Sequence, residues 1–204
     1  LKGQPKAPKK TLAFGVIIKQ PVFIFLTLLT FGYGAVEFGN ANWFVSYAQN
    51  GLGFTGEQSR NLLAFFTAGM VISRLTFPFL LRFVPVHRMI VLMATASLAG
   101  VFALKLMPSF YGIGAGNLLL GLGLGGLFPL ALSAAMNIDS DNGPVLSGIS
   151  IIGNSTGVQV ASFSTGLWAN FAPLTTAFWV IPLGGCVLWL ASYGYSRKIK
   201  YHRS

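Results

Sequence analysis

Long apolar runs separated by short polar connectors are the dominant pattern along this chain. A run of about 20 apolar residues is long enough to cross the hydrocarbon core of a membrane as a helix. The runs do not show the alternation of apolar and polar positions that is typical of a membrane β-barrel. The sequence therefore predicts an all-α membrane protein with six transmembrane helices, at residues 22–48, 60–82, 88–106, 110–136, 144–168 and 174–196.

The composition supports a surface that faces lipid. Charged residues make up only 9% of the chain, whereas soluble domains carry about 25%. The formal net charge is +10, but the basic residues lie at the chain ends and between apolar runs, so we do not expect nucleic-acid binding. The single cysteine and two histidines form no cluster typical of a metal site, and no cofactor is expected.

The basic residues also predict the orientation, because Lys and Arg are enriched in cytoplasmic loops. One side of the predicted membrane carries only Arg60 and Lys105. The other side carries Lys2, Lys6, Lys9, Lys10, Lys19, Arg82, Arg88, Arg197, Lys198, Lys200 and Arg203. Both termini are therefore expected in the cytoplasm. Residues 1–20 are interpreted as the end of a cytoplasmic linker, 21–196 as the transmembrane bundle and 197–204 as a basic cytoplasmic tail, and we expect the chain to be a piece of a longer protein.

A glycine-rich motif in the fourth run has two interpretations. Gly121, Gly123 and Gly126 have the G-x-G-x-x-G spacing of a dinucleotide-binding loop. That loop needs a preceding strand and an acidic residue about 20 positions later, whereas here the run is apolar and Asp139 and Asp141 come too early. Glycines inside a membrane let helices approach closely. We therefore interpret these glycines as helix-packing residues.

The stretch GNSTG, residues 153–157, matches the G-x-S-x-G motif of serine hydrolases. A serine nucleophile needs a base within hydrogen-bond reach. The histidines, His87 and His202, fall in basic segments outside the predicted spans. We therefore do not expect an enzyme, and we interpret Gly153 and Gly157 as a second close contact between helices.

Glu37 lies midway along the first predicted span. A carboxylate at this depth costs several kcal/mol unless it faces a water-filled cavity, pairs with a cation or stays protonated. Residues three and four apart share one face of a helix, and that face carries a polar stripe made of Tyr33, Glu37, Asn40, Phe44 and Tyr47. The stripe suits a hydroxylated solute, and its alternative role is hydrogen bonding between helices. Glu37, Asn40 and Tyr47 are thus candidate substrate-binding residues.

Later spans add further polar candidates. Asn154 and Gln159 of the fifth span are costly to bury, and they are candidate substrate-binding residues together with Asn117 and Phe128 of the fourth span. Arg74 lies toward the cytoplasmic end of the second span, where a structural or gating role fits better than contact with a solute.

The segment GMVISRLTFPFLLRFVPVHR, residues 69–88, resembles the second-to-third-helix segment of one half of a major facilitator superfamily transporter. Gly69, Arg74, Arg82 and Arg88 match that pattern, whereas Ser73 stands where glycine is usual and the acidic residue of the fuller motif is missing. The resemblance implies gating or structural roles for the first three of these residues.

Three further stretches, residues 33–48, 126–149 and 151–157, resemble the fucose-permease branch of that superfamily and its sugar-transporter relatives. The resemblance implies that the six spans are helices seven to twelve of a twelve-helix transporter. Such a half consists of two inverted three-helix repeats. It also implies that Glu37 occupies a position where this branch carries a polar cavity residue.

These features predict a part of a secondary active transporter that moves a small polar solute, expected to be a sugar, by alternating access. A proton or sodium gradient is the expected driving force. The expected partners are the lipid bilayer and either a missing amino-terminal six-helix half or a second copy. The alternative is a non-transporting orphan or truncated half that serves as a membrane assembly module.

Overall fold

A computed structural model describes residues 14–17 and 19–201. The described residues form the α-helices α1 Phe14–Ile17, α2 Pro21–Ser46, α3 Gly56–Leu80, α4 Val86–Leu106, α5 Phe110–Leu124, α6 Leu127–Met136, α7 Gly143–Ala169, α8 Leu174–Ala177 and α9 Val180–Tyr201. A π-helical turn, Tyr47–Gly51, extends α2. Most of the predicted linker, residues 1–13 and 18, and the last three residues of the predicted tail lie outside the described residues.

Five helical segments of the described chain are long and apolar enough to cross a membrane, as is typical of an integral membrane protein. They are Pro21–Gly51, Gly56–Leu80, Val86–Leu106, Phe110–Met136 and Leu174–Ile199. These segments match five of the six predicted spans, and the prediction of an all-α membrane protein is confirmed. The remaining prediction, the fifth span at 144–168, corresponds to α7, which has 27 residues. Its many Ser, Thr, Asn, Gln and Gly residues make it less apolar than the other five.

Local signals fix where α3 begins. The Thr55 hydroxyl accepts a hydrogen bond from the Gln58 backbone N–H at 3.2 Å, and the Gln58 side chain accepts one from the Thr55 N–H at 3.0 Å. This capping box pairs two backbone donors that a helix start would otherwise leave free. The preceding turn contains Gly53 at φ 77°, a conformation that favours glycine. The helix therefore starts at Gly56, before the predicted span start at 60.

The packing of the long helices follows a simple scheme. α2 packs on α7 and α9, α5 packs on α3 and α4, and α4 packs on α9. The fully buried residues of this core include Leu26 and Leu29 of α2, Ile90 of α4, and Leu120 and Leu124 of α5. Many large apolar side chains on the outer faces stay exposed, as expected for helices that contact lipid.

Glycines allow close contact on both sides of the fourth span. A Cβ at Gly121 would collide with the Phe66 carbonyl oxygen of α3, and one at Gly123 would collide with Ser97 of α4. A Cβ at Gly69 of α3 would in turn lie 3.1 Å from the Gly121 Cα. The G-x-G-x-x-G motif is thus wedged between two helices, which confirms its interpretation as a packing motif.

The second predicted glycine contact joins α7 to α2. A Cβ at Gly157 would collide with the Phe31 carbonyl oxygen, and one at Gly153 would lie 3.1 Å from the Thr27 carbonyl oxygen. The interpretation of Gly153 and Gly157 as a close helix contact is therefore confirmed. At the other end of the chain, α9 continues to Tyr201, so residues 197–201 of the predicted tail extend this helix.

Candidate functional site

A break in the fourth span creates the most distinctive polar feature of the bundle. α5 ends at Leu124 and α6 begins at Leu127, with Gly125 and Gly126 between them. Pro129 lies four residues after Gly125 and has no N–H, so it cannot donate to the Gly125 carbonyl as a helical residue would. The Arg74 Nε of α3 donates to this carbonyl oxygen at 3.2 Å instead. The Arg74 guanidinium therefore provides the hydrogen-bond donor that Pro129 lacks.

Glu37 of α2 belongs to the same polar group. The Glu37 carboxylate and the Tyr33 hydroxyl lie close enough to each other and to the Arg74 guanidinium to interact electrostatically. Glu37 is partly buried, while Tyr33 is only 3% exposed. A nearby cation and hydroxyl lower the cost of a carboxylate inside a spanning segment. We call Tyr33, Glu37 and Arg74, with the Gly125 carbonyl, the α2–α3 polar cluster.

An aromatic pair borders this cluster. The rings of Tyr33 and Phe128 stack with their centroids 5.3 Å apart and an interplanar angle of 29°. Phe128 lies on α6, directly after the helix break, and is partly buried. Tyr33 thus lies next to two of the predicted substrate-binding residues, Glu37 and Phe128.

The predicted candidates Asn40 and Asn117 form a separate pair in the core. The Asn40 Nδ2 donates to the Asn117 Oδ1 at 3.2 Å, which links α2 to α5. Both residues are 0% exposed. The Asn40 Oδ1 and the Asn117 Nδ2 have no partner among the described residues. One acceptor and one donor are left over, a combination that is complementary to a single hydroxyl group or water molecule.

Tyr47, also predicted to bind substrate, has its side chain occupied by protein contacts. It is only 1% exposed, and its hydroxyl donates to the Leu104 carbonyl oxygen at 3.4 Å. Its ring stacks on Phe178 with the centroids 4.1 Å apart. The structure therefore places Tyr47 at a junction between the π-helical turn, α4 and the short segment between α8 and α9.

Lys105 completes this junction. Its ammonium lies 5.2 Å from the centroid of the Tyr47 ring and 5.0 Å from that of Trp179. It also donates a hydrogen bond to the Thr175 carbonyl oxygen of α8. Aromatic faces and a carbonyl oxygen stabilise this partly buried ammonium group. The sequence shows Lys105 as an isolated charge at a span end, and spacing alone does not reveal its aromatic partners.

The predicted residues of α7 lie apart from each other. Asn154 packs closely against Gly34 of α2. A Cβ placed at Gly34 would lie only 2.6 Å from the Asn154 Oδ1. This oxygen is buried and has no partner within the described part of the chain. Gln159 is exposed on the helix surface. Nearby in the chain, Ser162 accepts a hydrogen bond from the Asn42 Nδ2 at 3.3 Å, so polar contacts connect α7 to α2.

The residues with predicted gating or structural roles differ in their surroundings. Gly69 lies in the contact between α3 and α5, and Arg74 belongs to the α2–α3 polar cluster. Arg82 is exposed after the end of α3, with its guanidinium 5.5 Å from the centroid of the Phe79 ring.

Comparison of the chain with known proteins identifies no relative. No protein-family model, no curated protein and no solved structure matches the chain. Its function is therefore inferred from the residues and their geometry.

Proposed function

We propose that this chain forms one half of a secondary active transporter of the major facilitator type, and that it moves a small polar solute across a membrane. The observation that carries the proposal is the α2–α3 polar cluster beside a helix break in a membrane-spanning segment. Ionisable groups inside spanning helices mark solute or ion pathways by default. Broken helices are typical of transporter binding sites, which lie near the bilayer midplane.

The packing scheme supports two related three-helix units. The first unit is α2, α3 and α4, and the second unit is the fourth span (α5 and α6), α7 and α9. Within this pairing, α2 packs on the second and third helices of the other unit, α7 and α9, and the fourth span likewise packs on α3 and α4. The third helices of the two units, α4 and α9, pack on each other. An odd number of spans in each unit inverts the second unit relative to the first. This is the arrangement of inverted repeats in transporters that work by alternating access.

The chemistry of the cluster favours a sugar or a similar polyol. The Glu37 carboxylate accepts hydrogen bonds from hydroxyl groups, the Arg74 guanidinium donates them, and the rings of Tyr33 and Phe128 offer apolar faces. The proposed reaction is translocation without covalent chemistry. A proton or sodium gradient supplies the energy in this proposal, and the distribution of basic residues favours a cytoplasmic location for both termini.

A second bundle is part of this proposal. Glu37 is only partly buried, and Asn42 and Gln159 are exposed on α2 and α7. Polar groups in this position avoid lipid when another bundle covers them and encloses a wet passage. An amino-terminal six-helix half or a second copy of the chain would supply that cover.

The proposal is tested by uptake of radiolabelled hexoses and polyols into cells that express the complete gene product. Glu37→Gln keeps the size of the side chain and removes its charge, so we expect at least a tenfold loss of uptake for the transported solute, on the order of one lost charged hydrogen bond. Glu57→Gln is the matched control, because Glu57 is an exposed residue in the first turn of α3. Uptake that is equal in wild type and Glu37→Gln would contradict the proposal.

A further inference from the structure

A cavity of about 450 Å³ lies between the first turns of α2 and the last turns of α9. Its lining residues are Phe25, Leu190, Tyr193, Gly194, Arg197 and Lys198. It lies at the opposite end of α2 from Tyr47 and Lys105. A Cβ at Gly194 would lie 2.5 Å from the Phe25 ring, so this glycine lets the ring approach α9 closely.

The charged part of the cavity is entirely basic. Arg197 and Lys198 are exposed, adjacent residues of α9. The four acidic residues of the sequence are Glu37, Glu57, Asp139 and Asp141, and none of them lines the cavity. The two cations therefore favour an anionic ligand, and a guanidinium presents a planar fork that matches phosphate.

The aromatic part of the cavity is held in place. The Arg197 guanidinium lies 6.0 Å from the centroid of the Tyr193 ring. Tyr193 stacks on Trp189 with the centroids 5.6 Å apart, and the Trp189 indole N–H donates to the Thr95 hydroxyl of α4 at 3.0 Å. Trp and Tyr at a span end are typical of the headgroup level of a bilayer. We therefore expect the two cations at the level of the lipid phosphates.

The apolar part of the cavity distinguishes a lipid from a soluble anion. Leu190 is 60% exposed on the outer surface of a segment that is long and apolar enough to span the membrane. Phe25 faces it from the start of α2. An acyl chain would cover this surface, whereas free phosphate would leave it uncovered.

We propose that this cavity binds an anionic phospholipid, with its phosphate between Arg197 and Lys198 and the upper part of an acyl chain along Phe25 and Leu190. Basic pockets between spanning helices bind acidic lipid headgroups in this way. The inference depends on the membrane location and not on transport, so its test is independent of the uptake experiment.

Native mass spectrometry of the detergent-solubilised protein measures the binding directly. The protein is mixed with equal amounts of phosphatidylglycerol and phosphatidylcholine. Two nearby cations predict a preference for phosphatidylglycerol of about tenfold or more. Arg197→Gln with Lys198→Gln removes the preference, and each single variant reduces it, so the result does not depend on the folding of the double variant. Arg88→Gln is the control, since Arg88 is an exposed cation of α4 outside the cavity, and it keeps the preference.

Three results would overturn the inference. The two lipids could bind equally well to the wild-type protein. The double and single variants could keep the full preference for phosphatidylglycerol. Inorganic phosphate at the same concentration as the lipid could displace it, which would make the cavity a site for a free anion.

Discussion

Arg74 and Pro129 act on the same backbone carbonyl, that of Gly125. Pro129 has no N–H to donate to it, and the Arg74 Nε donates to it at 3.2 Å. The Arg74 guanidinium also interacts with Glu37 and Tyr33 on α2. One cation therefore connects the second span to both the first span and the break in the fourth.

This relationship predicts a non-additive pair of substitutions. Arg74→Gln leaves the Gly125 carbonyl without its donor and is expected to lower the free energy of unfolding by about 1–3 kcal/mol. Pro129→Ala supplies a backbone N–H to the same carbonyl, so the loss caused by Arg74→Gln should be smaller in that background by about 0.5–1.5 kcal/mol. Thermal unfolding, followed by the reactivity of the single thiol at Cys186, measures all four proteins. Equal losses in the two backgrounds would refute the shared role.

The glycine contact between α2 and α7 predicts a strong dependence on position. Gly157→Ala forces the Phe31 backbone away and should destabilise the bundle by about 1–3 kcal/mol, as overpacking does. Gly148→Ala is the matched control on the same helix, because a Cβ there meets nothing within 4 Å. It should be neutral or stabilising by up to about 1 kcal/mol, since alanine favours helix. Similar melting temperatures for both variants would show that the close contact does not contribute to stability.

The sequence predicted the helices well, because membrane spans are set by the length of apolar runs and those runs are visible. It also predicted the packing role of Gly121 and Gly157, because a glycine in an apolar helix has few other uses. The break in the fourth span was missed, although Gly125 and Pro129 lie four residues apart and signal it. The capping box at Thr55 and Gln58 was a similar unused signal.

The site was harder to predict, because periodicity shows which residues share a face but not what covers that face. Glu37 and Tyr47 lie on one predicted stripe. Glu37, however, lies within the electrostatic influence of Arg74 of α3, whereas Tyr47 is enclosed by Phe178 and Leu104. These partners come from distant parts of the chain. Their approach depends on the packing of the whole bundle, which a single stripe does not specify.

The surroundings of Tyr47 predict a difference between removing its hydroxyl and removing its ring. Tyr47→Phe loses one long hydrogen bond of 3.4 Å and should cost about 0.5–1 kcal/mol of unfolding free energy. Tyr47→Ala removes a buried ring that stacks on Phe178 and should cost about 3–5 kcal/mol. Unfolding in detergent measures both variants. If Tyr47→Phe abolished solute uptake while stability stayed unchanged, the hydroxyl would have a binding role that these contacts do not explain.

The Asn40–Asn117 pair predicts that substitutions of the two residues are not additive. The loss of unfolding free energy in the double variant should be smaller than the sum of the losses in the two single variants. Asn40→Leu or Asn117→Leu alone leaves a fully buried amide without its partner. The double variant removes both polar groups and keeps the branched shape and the number of side-chain heavy atoms. Hydrogen bonds between membrane helices have coupling energies of about 0.6 kcal/mol on average and about 1.7 kcal/mol at most. The double variant should therefore be more stable than the sum of the single losses by an amount in this range. A double-mutant cycle of thermal unfolding measures that difference, and strictly additive losses would show that the 3.2 Å contact contributes nothing to the association of α2 with α5.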